Sequence, residues 1–164
     1  MRNLRSEAEA RGVSAQRLIF APRLPDLSEH FARLRLADLF LDTQPFNAHT
    51  SASDALWSGL PVLTCPGETF AGRVAASLLR AVGLPELVTL GLDDYEARAL
   101  ELARHPQTLA ALRQRLAAER STAPLFDSAR YTKHLEAAFA AMWQRHLAGL
   151  EPDHAQVARR TAAE

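Results

Sequence analysis

Apolar runs of strand length alternate with amphipathic helical stretches from residue 4 to residue 104. The pattern predicts helix over 4–11, strand over 17–21, helix over 28–36, strand over 39–42 and helix over 51–58. It continues with strand over 61–64, helix over 70–82, a short strand over 87–89 and helix over 93–104. This is the rhythm of a parallel sheet whose crossovers are helices, an α/β fold of Rossmann-like type. Gly12, Gly59 and Gly83 fall where helices should end. From Pro106 the strands cease and two helices are expected, over 107–120 and 128–147. The second places Tyr131, Leu135, Phe139, Met142 and Trp143 at spacings of three and four, an apolar stripe expected to pack on a core. The expected organisation is one lobe over 1–149, helical over 106–149, with a tail over 150–164.

A chain of 164 residues, 48% of them hydrophobic, is long enough to bury a core as one domain. Lys+Arg and Asp+Glu both number 19, so no global field favours nucleic acid or an anionic membrane as a partner. The single cysteine, Cys65, excludes an internal disulfide and is expected as a buried thiol, which fits a cytoplasmic protein. No apolar run approaches membrane-spanning length, and the opening Met1-Arg2-Asn3-Leu4-Arg5-Ser6-Glu7 has no signal-peptide core.

Candidate chemistry concentrates between Leu36 and Trp57. The run Leu39 to Leu41 ends in Asp42-Thr43 and a Pro/Asn loop, and the next helix opens at Thr50-Ser51. A helix start aims unbonded N–H groups outward, and ligands of open α/β sheets sit beyond the carboxyl ends of the strands. His49, Thr50 and Ser51 are therefore the candidate anion site, with phosphate as its natural guest. Ser51-Ala52-Ser53-Asp54 has two readings: a capping box, or a carboxylate free to accept the hydroxyls of a ribose. His30 and Arg33, three apart on one helix face, are either a solvated surface or a base-stacking and base-edge pair. Pro66-Gly67-Glu68-Thr69 and Gly72-Arg73-Val74 imitate a P-loop but lack its lysine and hydroxyl, leaving a second turn that borders the same crevice. No Cys/His spacing suits a metal, and there is no Asp-x-Asp pair.

The run Leu36 to Trp57, with Pro66-Gly67-Glu68-Thr69, Arg73-Val74-Ala75-Ala76-Ser77, Pro124-Leu125-Phe126 and Met142-Trp143, resembles the catalytic region of protein O-linked N-acetylglucosamine transferases. The likeness extends over most of Arg17 to Gly149 and looks like the C-terminal part of a bacterial member. It implies a GT-B architecture of two Rossmann-like lobes that binds UDP-N-acetylglucosamine, with tetratricopeptide repeats and the N-terminal lobe preceding this segment. It implies further that His49, Thr50 and Ser51 meet the diphosphate, Asp54 the ribose, His30 and Arg33 the uracil, and the backbone of Leu24 the base. A lysine common in the family three residues before the helix histidine is Leu27 here.

The reaction so implied is transfer of N-acetylglucosamine to serine or threonine hydroxyls of an acceptor protein, without a metal cofactor. The candidate base would lie in the other lobe. The opening helix, where a doubly wound lobe starts with a strand, fits an expected upstream segment. Two alternatives stay open: a non-catalytic nucleotide-binding or scaffold module, and a GDP-sugar enzyme like the protein O-fucosyltransferases.

Overall fold

The computed structural model describes residues 1–157. Helix α1 (Arg2–Ala10) is followed by a 3₁₀ turn (Ala15–Arg17), α2 (Leu27–Leu34), strand β1 (Phe40–Leu41), α3 (Thr50–Trp57), strand β2 (Val62–Leu63) and α4 (Val74–Ala81). After a 3₁₀ turn (Pro85–Leu87) come α5 (Leu92–Arg104), α6 (Pro106–Glu119), a third 3₁₀ turn (Pro124–Phe126) and α7 (Ser128–Leu147).

The sheet is short and parallel. Phe40 pairs with Val62 and Leu41 with Leu63, and a single parallel bridge from Thr64 to Val88 adds a third position. Because β1 and β2 run the same way, α3 is the crossover between them, as the alternating pattern predicts. Ala52, Ala55 and Leu56 of α3, Val62 and Leu63 of β2, and Ala75 and Leu79 of α4 form the centre of the core, closed by Leu84, Leu87, Leu102 and Leu116. Truncating a leucine at such a site costs about 2–5 kcal/mol, so this core fixes where the loops at the strand ends can lie. Gly59 and Gly83 end α3 and α4 with φ of +84° and +73°, conformations that a Cβ disfavours.

Four expectations are corrected. No strand forms over 17–21: that segment makes no ladder to any described strand, and Ile19 is exposed. Apolar content alone cannot make a strand without a hydrogen-bonding neighbour. Helix α4 begins at Val74 and not at Phe70, because Gly67 N–H donates to Gly72 C=O at 2.6 Å and folds the intervening residues into a compact loop. The strand over 87–89 contracts to the one bridge at Val88. The stripe on α7 packs on no described core: Tyr131 is 66%, Phe139 59% and Trp143 58% exposed. Residues 151–157 carry no regular secondary structure, and the rest of the expected tail, 158–164, lies outside the described residues.

Candidate nucleotide site

β1 ends at Leu41, and the next eight residues form a loop that turns the chain into α3. Asp42, buried at 7% exposure, organises that loop. Its Oδ1 accepts the N–H of Thr43 at 2.9 Å and of Ala48 at 2.7 Å, and its Oδ2 accepts the Thr64 hydroxyl at 2.6 Å. Asn47, also buried, donates Nδ2–H to the carbonyl of Thr43 at 2.9 Å. The backbone N–H of Asn47 reaches the Ala71 carbonyl at 3.2 Å, which ties the loop to the turn before α4. Gly72 belongs to that junction: a Cβ there would sit 3.2 Å from the Pro45 carbonyl oxygen.

The loop delivers His49 as the residue before α3. Among the described residues, Thr50 and Ser51 have no acceptor for their backbone N–H groups, and the first bond of the helix runs from Ser53 N–H to the His49 carbonyl. Thr50 and Ser51 are exposed and line a cleft of about 460 Å³ with Asp42, Thr43, Phe46, Ala48 and His49. Two outward donors at the positive end of a helix dipole can hold an anion there. The His49 ring stacks on Phe46 at 4.8 Å, meets Phe70 edge-on, and sets its Nε2 3.1 Å from the Ala71 carbonyl. A carbonyl only accepts, so Nε2 carries the proton and Nδ1 is the nitrogen left over.

The capping-box reading is overturned. α3 starts at Thr50, so Ser51 is inside the helix, no side chain caps it, and the Asp54 carboxylate is engaged elsewhere. Asp54 Oδ2 lies 3.4 Å from Nε2 of His30 on α2. Arg33 approaches Nδ1 of the same ring at 3.3 Å and donates to the Pro22 carbonyl at 2.5 Å. A guanidinium can only donate, so Nδ1 of His30 accepts and the ring turns an N–H toward Asp54. Asp26 caps α2 through the N–H groups of Ser28 and Glu29, and those hydrogen bonds, with that of the Ser28 hydroxyl foremost, hold its carboxyl below the usual range.

The structure thus gathers six of the seven candidate residues in two sets. His49, Thr50 and Ser51 share the cleft, while His30, Arg33 and Asp54 form a cluster between α2 and α3, with Asp54 one turn along from Thr50. Leu24 lies partly buried in the irregular segment before α2, outside the cleft wall. The bordering turn with Gly67 and Gly72 meets the site through the Ala71 carbonyl. Asp42, Asn47, Thr64 and Tyr95 carry the loop and were not among the candidates. The sequence holds one signal for the first, an acidic residue at a strand end leading into a Pro/Asn loop.

The model of the family "Glycosyl transferase family 41" matches residues 1–135. A probable UDP-N-acetylglucosamine–peptide N-acetylglucosaminyltransferase, SEC, of Arabidopsis thaliana is 42% identical over 93% of this chain, and the match covers 16% of that relative. The Caenorhabditis elegans protein named UDP-N-acetylglucosamine–peptide N-acetylglucosaminyltransferase is 36% identical over 93% of the chain, which spans 13% of its length. A solved structure of a mutant Thermobaculum terrenum O-GlcNAc transferase superposes with a TM-score of 0.83 at 36% identity, over 90% of this chain and 28% of that one. The architecture is accordingly a Rossmann-like lobe of the GT-B kind with appended helices.

Proposed function

Since this chain belongs to glycosyl transferase family 41, we propose that it forms the UDP-sugar-binding lobe of a protein O-GlcNAc transferase. The observation that carries the reading is the pair of unbonded N–H groups at Thr50 and Ser51, opening on one cleft beside His49. These donors and His49 hold the pyrophosphate of UDP-N-acetylglucosamine. Asp54 leaves His30 to accept the ribose hydroxyls, His30 stacks on the uracil, and Arg33 and the backbone of Leu24 address its edge. The share of each relative that the chain spans, 16% and 13%, makes the activity a property of a longer polypeptide.

In the proposed reaction the bond between the sugar's anomeric carbon and the β-phosphate oxygen breaks. The acceptor serine or threonine oxygen forms the new bond, and its proton goes to a base outside this chain. Charge grows on the departing diphosphate, so the preset helix N–H groups stabilise the transition state more than the bound donor. In this scheme the helix end supplies the electrostatic stabilisation, and no metal cofactor takes part. His49 steadies the phosphate and is not the base.

Residues 1–149 form the lobe, and the uncovered face of α7 braces the remaining lobe. Tyr131, Phe139, Met142 and Trp143 supply that face, and their exposure supports a partner surface there. No described helix is long and apolar enough to cross a membrane, and we place the enzyme in the cytoplasm. Calorimetry of the chain with UDP and with GDP tests the reading. UDP binding in preference to GDP is expected; binding of neither, or a preference for GDP, contradicts it.

A further inference from the structure

The Asp42 carboxylate is an anion buried at the back of a site built for an anion. A carboxylate that touched a pyrophosphate would repel it, and here both oxygens are engaged by donors of the protein itself. Three donors from three places converge on it: Thr43 N–H at 2.9 Å beside it, Ala48 N–H at 2.7 Å just before α3, and the Thr64 hydroxyl at 2.6 Å at the end of β2. The main-chain carbonyl of the same residue accepts the Tyr95 hydroxyl from α5 at 2.7 Å. Thr64 is itself fully buried, with its N–H on the Leu87 carbonyl and its carbonyl accepting Thr89 N–H, both at 3.0 Å.

Only an ionised carboxylate supplies acceptors to three donors with no hydrogen of its own in the way. An asparagine would keep the shape, but would turn an NH₂ group toward a hydroxyl that now donates. Bonds to a charged acceptor are the stronger kind, and in a buried place they hold geometry most firmly.

We propose that Asp42 is the positioning residue of the pyrophosphate site: by clamping Ala48 N–H to the ends of β1 and β2 it sets where Thr50 and Ser51 present their donors. It acts through the loop and touches no ligand. The inference rests on the reading of the α3 start as a pyrophosphate site.

The test compares UDP with UMP, since the second phosphate reads the clamped N–H groups and the nucleoside does not. The unsubstituted chain, Asp42→Asn and the near-isosteric Thr64→Val are titrated with each nucleotide, and their melting is recorded. Asp42→Asn is expected to weaken UDP binding by about tenfold and Thr64→Val by about threefold, with UMP affinity moving less than twofold. An unchanged preference for UDP over UMP in both variants overturns the inference, and so does an equal loss for both nucleotides, which marks a merely structural role. If the unsubstituted chain binds UDP no better than UMP, the pyrophosphate reading itself fails and the inference fails with it.

Discussion

His30 on α2 and Asp54 on α3 face each other with 3.4 Å between Nε2 and Oδ2, and Arg33 holds the other ring nitrogen. The contact fixes the angle of the imidazole before any ligand arrives. A ribose that takes over the carboxylate must replace this bond with two of its own. Asp54→Ala is expected to raise the Kd for UDP by at least tenfold, from loss of charge-assisted bonds that contribute about 1.5–3 kcal/mol each. Titration calorimetry measures it, and an unchanged Kd would remove Asp54 from the ribose.

His49 is held by Phe46 and the Ala71 carbonyl on the rim of the cleft. His49→Ala should leave the core intact and weaken UDP binding several-fold, with a parallel loss of turnover when the substitution is made in the full-length enzyme. Full turnover in that variant would show that the ring does not serve the diphosphate.

Tyr95 links α5 to the site through the Asp42 carbonyl. Tyr95→Phe is expected to cost about 0.5–1.5 kcal/mol, a fall in Tm of about 2–4 °C for each kcal/mol in a chain of this size. Burial foremost, then the negative charges of Asp42 and Cys65, push the phenol above its usual pKa of 10.0. The folded state binds that proton more tightly, so its contribution is whole below pH 10.0 and is lost as pH rises through the raised value. Thermal melts across alkaline pH should show a shallower decline in Tyr95→Phe than in the unsubstituted chain.

At the acid end Asp26 behaves oppositely. Its carboxyl, held below 3.8 by the Ser28 hydroxyl and then by the N–H groups of Glu29 and Ser28, supports α2 above that pH and ceases to do so as pH falls through the lowered value. Asp26→Ala should flatten the acid limb of the melting profile and, because α2 carries His30 and Arg33, weaken UDP binding as well.

The exposed face of α7 gives a separate test. Replacing Phe139 and Trp143 together by glutamate should leave the Tm of this chain within about 1–2 °C, since surface substitutions move stability by less than about 0.5 kcal/mol. In the full-length enzyme the same pair should abolish transfer. A large drop in Tm of the chain alone would place the stripe in a core after all.

What the sequence disclosed follows from the range of each cause. The ends of α3 and α4 were legible because Gly59 and Gly83 act locally, and the place of His49, Thr50 and Ser51 at the start of α3 because strand, polar loop and helix start are consecutive. The role of Asp42 was not, since its partners Thr64 and Tyr95 stand 22 and 53 residues away and only the fold brings them close. The same reason separates Asp54 from a capping box: its partner His30 comes from another helix. Residues 17–21 carry strand-like side chains, yet a ladder is a property of two segments. The period of the α7 stripe foretold an amphipathic helix and could not say what covers it.

The central claim is that the backbone N–H groups of Thr50 and Ser51 grip the pyrophosphate of a uridine nucleotide without a divalent ion. Its most direct test is amide-resolved NMR of the ¹⁵N-labelled chain titrated with UDP in the presence of EDTA. The account predicts that the Thr50 and Ser51 amide resonances move most, that UMP moves them far less, and that added Mg²⁺ changes neither result. Stationary Thr50 and Ser51 resonances at saturating UDP, or shifts that appear only with Mg²⁺, would contradict it.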